Sequence, residues 1–142
     1  MTLENWNRIR YFTPREKWGD WTWLQEDLIF KLDAMRRFAG VPIIIHCAYD
    51  TFGHSKDSYH YKGMAADLHF VGRNLLDQFI IASRFFSGIG CYDETVWQHS
   101  GLHVDIRRTA ATVPEARWGA TRINGKRTYV KLNSEFFEST GD

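Results

Sequence analysis

A chain of 142 residues, 44% hydrophobic and 25% charged, has the length and composition of one domain with a real core. Its 18 basic and 17 acidic residues leave a formal net charge of +1, so nothing in the charge calls for nucleic acid or an anionic membrane as a partner. Two cysteines, Cys47 and Cys91, make no disulfide framework, and no apolar run approaches transmembrane length.

Met1 to Trp6 lacks the basic-then-apolar form of a signal peptide. Synthesis in the cytoplasm is therefore expected, with any work outside the cell depending on a separate release route. Thr13-Pro14-Arg15-Glu16 has the form of a helix start, with Thr13 as cap, Pro14 at the first position and Glu16 closing a capping box. Asp20 is expected to cap a second helix, along which Leu24, Leu28, Leu32 and Met35 recur at helical spacing until Gly40 and Pro42 end it. The run from Val41 to Cys47 is apolar and rich in isoleucine, a buried strand in which Cys47 reads as a small core residue.

A polar loop from Asp50 to Ser58 leads into a second strand, Met64 to Phe70, whose alternation puts Ala65, Asp67 and His69 on one face. Leu75 to Phe86 reads as a helix with Leu75, Leu76, Phe79, Ile80 and Phe86 on its apolar face, ended by Gly88. A short strand from Ile89 to Tyr92 and a loop from Asp93 to Ser100 follow. The next strand, Leu102 to Arg107, puts His103 and Asp105 on a common face. Asn124-Gly125 marks a hairpin into Thr128 to Leu132, and the last ten residues read as a polar, frayed tail. The domain is expected to span 1–142, with its core at about 20–132.

His60, Asp67 and His103 carry the chemistry. Asp67 lies inside an apolar strand, where an unpaired carboxylate is costly, and coordination or an arginine partner would remove that cost. Two imidazoles and a carboxylate form a nitrogen and oxygen donor set that suits Zn2+, and three protein ligands leave a fourth position open.

The pattern Ser58-x-His60-x-x-Gly63-x-Ala65-x-Asp67, followed by Gly101-Leu102-His103-Val104-Asp105, resembles the zinc D-alanyl-D-alanine peptidase family. That family includes vancomycin-resistance dipeptidases, wall carboxypeptidases and phage endolysins, and shares its fold with the hedgehog signalling domain. The resemblance runs over roughly residues 24 to 118 and is nearest to the carboxypeptidase-like branch, with Arg117-Trp118 as its Arg-Trp pair. It implies His60, Asp67 and His103 as the zinc ligands. It also implies an α+β domain with a small antiparallel sheet carrying the metal and helices packed on one side. The implied function is a zinc metallopeptidase acting as a D,D-carboxypeptidase or endopeptidase on stem peptides of bacterial peptidoglycan. Lack of a signal peptide fits a phage or prophage lysis enzyme that works as a monomer.

Two departures stand against that pattern. Asp50 occupies the place of an arginine that assists at the substrate, leaving Arg107, Lys56 or Lys62 as other sources of positive charge. Ser100 occupies the place of the acidic general base. Asp105, Glu94 and His99 are the remaining candidates, with Asp105 preferred for sharing the strand face of His103. Its other role is to orient His103 from behind. Ser58 is expected to fix the loop at His60, and His69 to contact substrate or support a ligand. The alternative function is a zinc-stabilised binding module without turnover.

Overall fold

The computed structural model describes residues 1–140. Four α-helices, α1 (Leu3–Trp6), α2 (Glu26–Ala39), α3 (Leu75–Ala82) and α4 (Ser134–Ser139), accompany six strands. The strands are β1 (Ile43–Cys47), β2 (Ala65–Phe70), β3 (Gly88–Tyr92), β4 (Gly101–Asp105), β5 (Ala116–Ile123) and β6 (Lys126–Val130). They form one α+β sheet in the order β1-β2-β4-β3-β5-β6. Neighbours run antiparallel except β3 and β5, which pair in parallel, so the sheet is larger than expected and mixed. No helix among the described residues is long and apolar enough to cross a membrane.

Strand alternation divides the sheet into a buried face and an open one. Ile43, Ile45, Ala66, Leu68, Phe70, Ile89, Cys91, Leu102 and Val104 join one core with Leu28, Ile29, Leu32 and Met35 of α2 and Leu75 and Ala82 of α3. Asp67, His69, His103 and Asp105 occupy the alternate positions and face away from the helices. Gly40 ends α2 in the left-handed conformation, as its place after the periodic leucines predicts. Asn124 and Gly125, at φ +53° and +77°, turn β5 into β6.

Several boundaries differ from the sequence reading. Glu16 does form the capping-box contacts, with its carboxylate accepting from the Thr13 amide at 2.6 Å and the Thr13 hydroxyl at 3.0 Å. Only a turn results. The Trp18 indole donates to the Thr13 carbonyl at 2.7 Å and its ring is fully buried, so the chain folds inward where a helix would continue. Asp20 caps the 3-10 turn Trp21–Trp23, through the Thr22 amide at 3.1 Å, and α2 starts later.

Helix α3 stops at Ala82, well short of Gly88, and Ser83 bonds back to the Ile80 carbonyl at 2.7 Å. Its buried stripe is Leu75, Gln78 and Ala82, leaving Leu76 and Ile80 exposed. A polar residue can occupy that stripe because Gln78 is satisfied. It accepts from the Phe70 amide at 3.1 Å and donates to the carbonyls of Arg73 at 2.9 Å and Ser100 at 3.2 Å. The core also reaches past the expected 20–132, taking in Trp6, Phe12, Trp18 and Phe136. Phe136 sits in α4, within the stretch read as a frayed tail, where the Asn133 side chain caps the helix at 2.9 Å. Residues 141 and 142 of that tail lie outside the described residues.

Candidate metal centre

His60 is set by local backbone geometry. The Ser58 hydroxyl accepts from the His60 amide at 3.1 Å and starts the 3-10 turn Tyr59–Lys62. Gly63 closes the turn at φ +67°, and a Cβ there would lie 2.1 Å from the Trp23 carbonyl oxygen, so no side chain fits. The buried His60 ring contacts the Ala48 carbonyl through Nδ1 at 2.7 Å. A carbonyl only accepts, so Nδ1 holds the proton and Nε2 presents a lone pair.

Register brings the other donors to that lone pair. Asp67 stands opposite both Cys47 of β1 and His103 of β4, and His103 stands opposite Gly90, which pairs with Trp118. Cys47, Asp67, His103 and Trp118 therefore form one row across the open face. Asp67 Oδ1 lies 3.1 Å from His60 Nε2 and 3.1 Å from His103 Nδ1, and the two nitrogens are 3.3 Å apart. These three groups can hold a metal ion. Metal–nitrogen bonds of about 2.0–2.1 Å give a tetrahedral edge of about 3.3 Å, so the triangle has the right size.

The remote nitrogen of each histidine is engaged as metal ligands require. His103 Nε2 donates to Asp105 Oδ2 at 2.8 Å, which leaves Nδ1 to face Asp67. Asp105 is fully buried, and the Arg107 guanidinium grips both its oxygens at 2.8 and 2.6 Å. Burial alone would raise the Asp105 carboxyl, but hydrogen bonds from Arg107 and His103 outweigh it and hold it far below the usual range. Burial likewise opposes charge on Asp67, and the bonds from His103 and His60 win there too. Burial lowers His103, yet its bonds to Asp105 and Asp67 carry it up to about 9. A positive charge at the triangle is thus favoured, and a dication supplies it without a proton.

The shape of β3 makes room for this arrangement. A Cβ on Gly88 would lie 2.1 Å from the Asp105 carboxylate, and one on Gly90 would lie 2.4 Å from the Trp118 ring. Trp118 packs against His103 at 5.3 Å between ring centres, and Arg107 covers the faces of Tyr59 and Trp118.

The triangle opens into a cleft of about 890 Å³ whose walls include Tyr59, Tyr92, Trp97, Trp118, Arg127 and Tyr129. Sequence reasoning missed most of that wall, because Arg127 and Tyr129 belong to a hairpin remote in sequence from both ligand motifs. Tyr92 stacks on Trp97 at 4.3 Å, and burial raises its phenol to about 12.

Other singled-out residues fall in different places. Asp105 stands behind His103 and bonds its Nε2, whereas Arg107 bonds Asp105 and also lines the cleft. His69 lies beside the triangle, bonded to His46 at 2.6 Å and stacked on His99 at 4.6 Å. Burial and the two neighbouring imidazoles lower His69 to about 4. Glu94 is exposed after β3, and neither it nor His99 lines the cleft. Lys56 does line it, as does Ser58. Cys47 is half-buried and not a core residue, because the register shift after Ile45 turns its thiol to the open face, 3.4 Å from Asp67 Oδ2.

No family model, curated protein or solved structure matches this chain.

Proposed function

We propose that this protein is a zinc metallopeptidase that hydrolyses peptide bonds in the stem peptides of bacterial peptidoglycan. The observation that carries the reading is the convergence of His60 Nε2, Asp67 Oδ1 and His103 Nδ1, 3.1 to 3.3 Å apart, at a solvent-open cleft. Nitrogen and carboxylate donors at tetrahedral spacing favour zinc over magnesium or calcium, which take oxygen ligands in larger shells. When bound, the ion would polarise the scissile carbonyl and supply a water nucleophile near neutral pH.

The chain's own residues bind, orient and shield. Asp105 keeps the proton of His103 on Nε2, and the Ala48 carbonyl does the same for His60 on Nδ1. The aromatic walls give an extended peptide apolar contact, and Lys56, Arg107 and Arg127 give it cationic partners. Asp105 serves here as the carboxylate that orients His103 and not as the general base. Its oxygens are already taken by His103 and Arg107. Peptidoglycan as substrate rests on the resemblance of the His60–Asp67 and His103 motifs.

The test is turbidity of purified cell walls with zinc-loaded protein, with and without chelator, followed by product analysis to name the bond cut. Chelator-sensitive clearing that His60→Ala and His103→Ala abolish is the expected result. Protein that holds zinc yet clears no wall and releases no peptide would refute the peptidase and leave a binding module.

A further inference from the structure

We propose that a second soft divalent cation binds beside the first, held by Cys47, Asp50 and His54. The inference extends the reading of His60, Asp67 and His103 as a metal centre. Donor atoms of Cys47, Asp50, His54 and His60 all lie within 4.8 Å of one another, a second ligand set that meets the first at His60. Thiolate, carboxylate and imidazole together suit zinc and its neighbours and do not suit magnesium or calcium.

The cluster is built, not incidental. Three ligands come from one short segment, Cys47-x-x-Asp50-x-x-x-His54, which the sequence reading treated as a strand end and a polar loop. The loop is pinned where it matters. The Tyr61 hydroxyl accepts from the His54 amide at 2.8 Å and donates to the His54 carbonyl at 2.7 Å. The Asp50 amide donates to the His60 carbonyl at 3.3 Å, and the His54 ring stacks on His60 with 4.1 Å between centres. His54 Nε2 sits 2.6 Å from Asp50 Oδ2, about 0.7 Å closer than a tetrahedral edge, so a small opening of that pair admits an ion.

Charge points the same way. Asp50 and Asp67 flank the Cys47 thiol, and among the described residues only histidines form ion pairs with these carboxylates. Two carboxylates beside a thiol, with no lysine or arginine ion pair, favour a cation between them, and ligation of that cation displaces the thiol proton. Asp67 links the sites, with Oδ1 on the His60–His103 side and Oδ2 3.4 Å from Cys47 Sγ. A tetrahedral edge between a metal-bound sulfur and oxygen is about 3.6 Å, close to that separation.

Titrating metal-free full-length protein with cobalt(II), followed by absorption, tests the assignment. Thiolate ligation produces a sulfur-to-cobalt charge-transfer band, whereas nitrogen and oxygen ligands produce only weak ligand-field bands. The wild type should take two equivalents, with the charge-transfer band accompanying one of them. Cys47→Ser and His54→Ala should each bind one equivalent and lose the band. Cys91 is fully buried on the helix-packed face and remains in both variants, so it cannot supply a band. His103→Ala should keep the band while losing the other equivalent. Thermal unfolding of each variant confirms that it is folded before titration.

Several results overturn the proposal. A wild type that takes one equivalent without the band has only the first centre. One equivalent that carries the band puts Cys47 on the first ion. Two equivalents in Cys47→Ser place the second ion elsewhere. No cobalt at all would sink both centres, whereas wall hydrolysis decides the peptidase reading separately.

Discussion

Asp105→Asn tests how the centre is held. The carboxylate is fully buried and accepts from His103 Nε2 at 2.8 Å, from the Arg107 guanidinium at 2.8 and 2.6 Å, and from the Arg107 amide at 3.1 Å. Asparagine keeps one oxygen. If that oxygen stays with the Arg107 amide and Nε, the new NH2 points at His103 Nε2, and the ring can accept only by moving its proton to Nδ1. That proton would then occupy the lone pair aimed at the metal. If the amide flips, NH2 faces the guanidinium and two donors collide. The first orientation misdirects the ligand and the second strains its support, and loss of such a partner costs about 10- to 100-fold in metal affinity, or about 1.4–2.7 kcal/mol. The unloaded fold should lose roughly 1–3 kcal/mol, less than a fully buried pair would, because the Arg107 side chain retains 21% exposure. Competition with a chromophoric chelator reads the first number and urea unfolding of the metal-free protein reads the second. Wild-type zinc affinity in the folded variant would refute the orienting role, and unchanged affinity with lost wall hydrolysis would return Asp105 to the position of base.

Removing metal should lower the melting temperature by roughly 10 °C when the starting ion is at about 100 times its Kd, since binding then contributes about 2.7 kcal/mol. His60→Ala and His103→Ala should show a smaller zinc-dependent rise in melting temperature than the wild type, because each loses the part that the His60–Asp67–His103 centre contributes. Gly90→Val should destabilise by about 1–3 kcal/mol and weaken metal binding, because its Cβ would fall 2.4 Å from the Trp118 ring that packs on His103. Calorimetry with and without zinc reads both effects, and a wild-type melting curve would count against the packing. Intact mass after alkylation under denaturing, non-reducing conditions should show two added groups, because Cys47 and Cys91 are both free thiols.

The local steps were legible in the sequence. Ser58, His60, Gly63 and Asp67 lie within one short stretch, and period-two alternation places Asp67 and His69 on a common face before any tertiary contact is known. The leucines of α2 and the Asn124-Gly125 turn likewise announce themselves. What stayed hidden depends on pairings between distant segments. Gly88 reads as a helix terminator until the strand pairings place Asp105 against it, and Gly90 acquires meaning only when Trp118 arrives from a parallel neighbour. Cys47 reads as core because a bulge, which flips the face it serves, leaves no trace in hydropathy. Gln78 breaks the apolar stripe of α3, and only its three hydrogen bonds explain why the break is tolerated.

The row of residues across the open face would make a metal bound there a folding checkpoint. Asp67 and His103 are 36 positions apart and touch only if β2 and β4 align at one register. Slippage by a single residue would put Leu68 or Leu102 into the cleft and send a ligand into the helix-packed core. Slippage by two residues would keep the apolar face on the core, yet Asp67 and His103 would no longer stand opposite and the ion would have no site. Retention of a metal ion would therefore report on topology as well as on ligand chemistry. An ion captured there during synthesis would pull this chain toward one strand alignment among several of similar hydrophobic content.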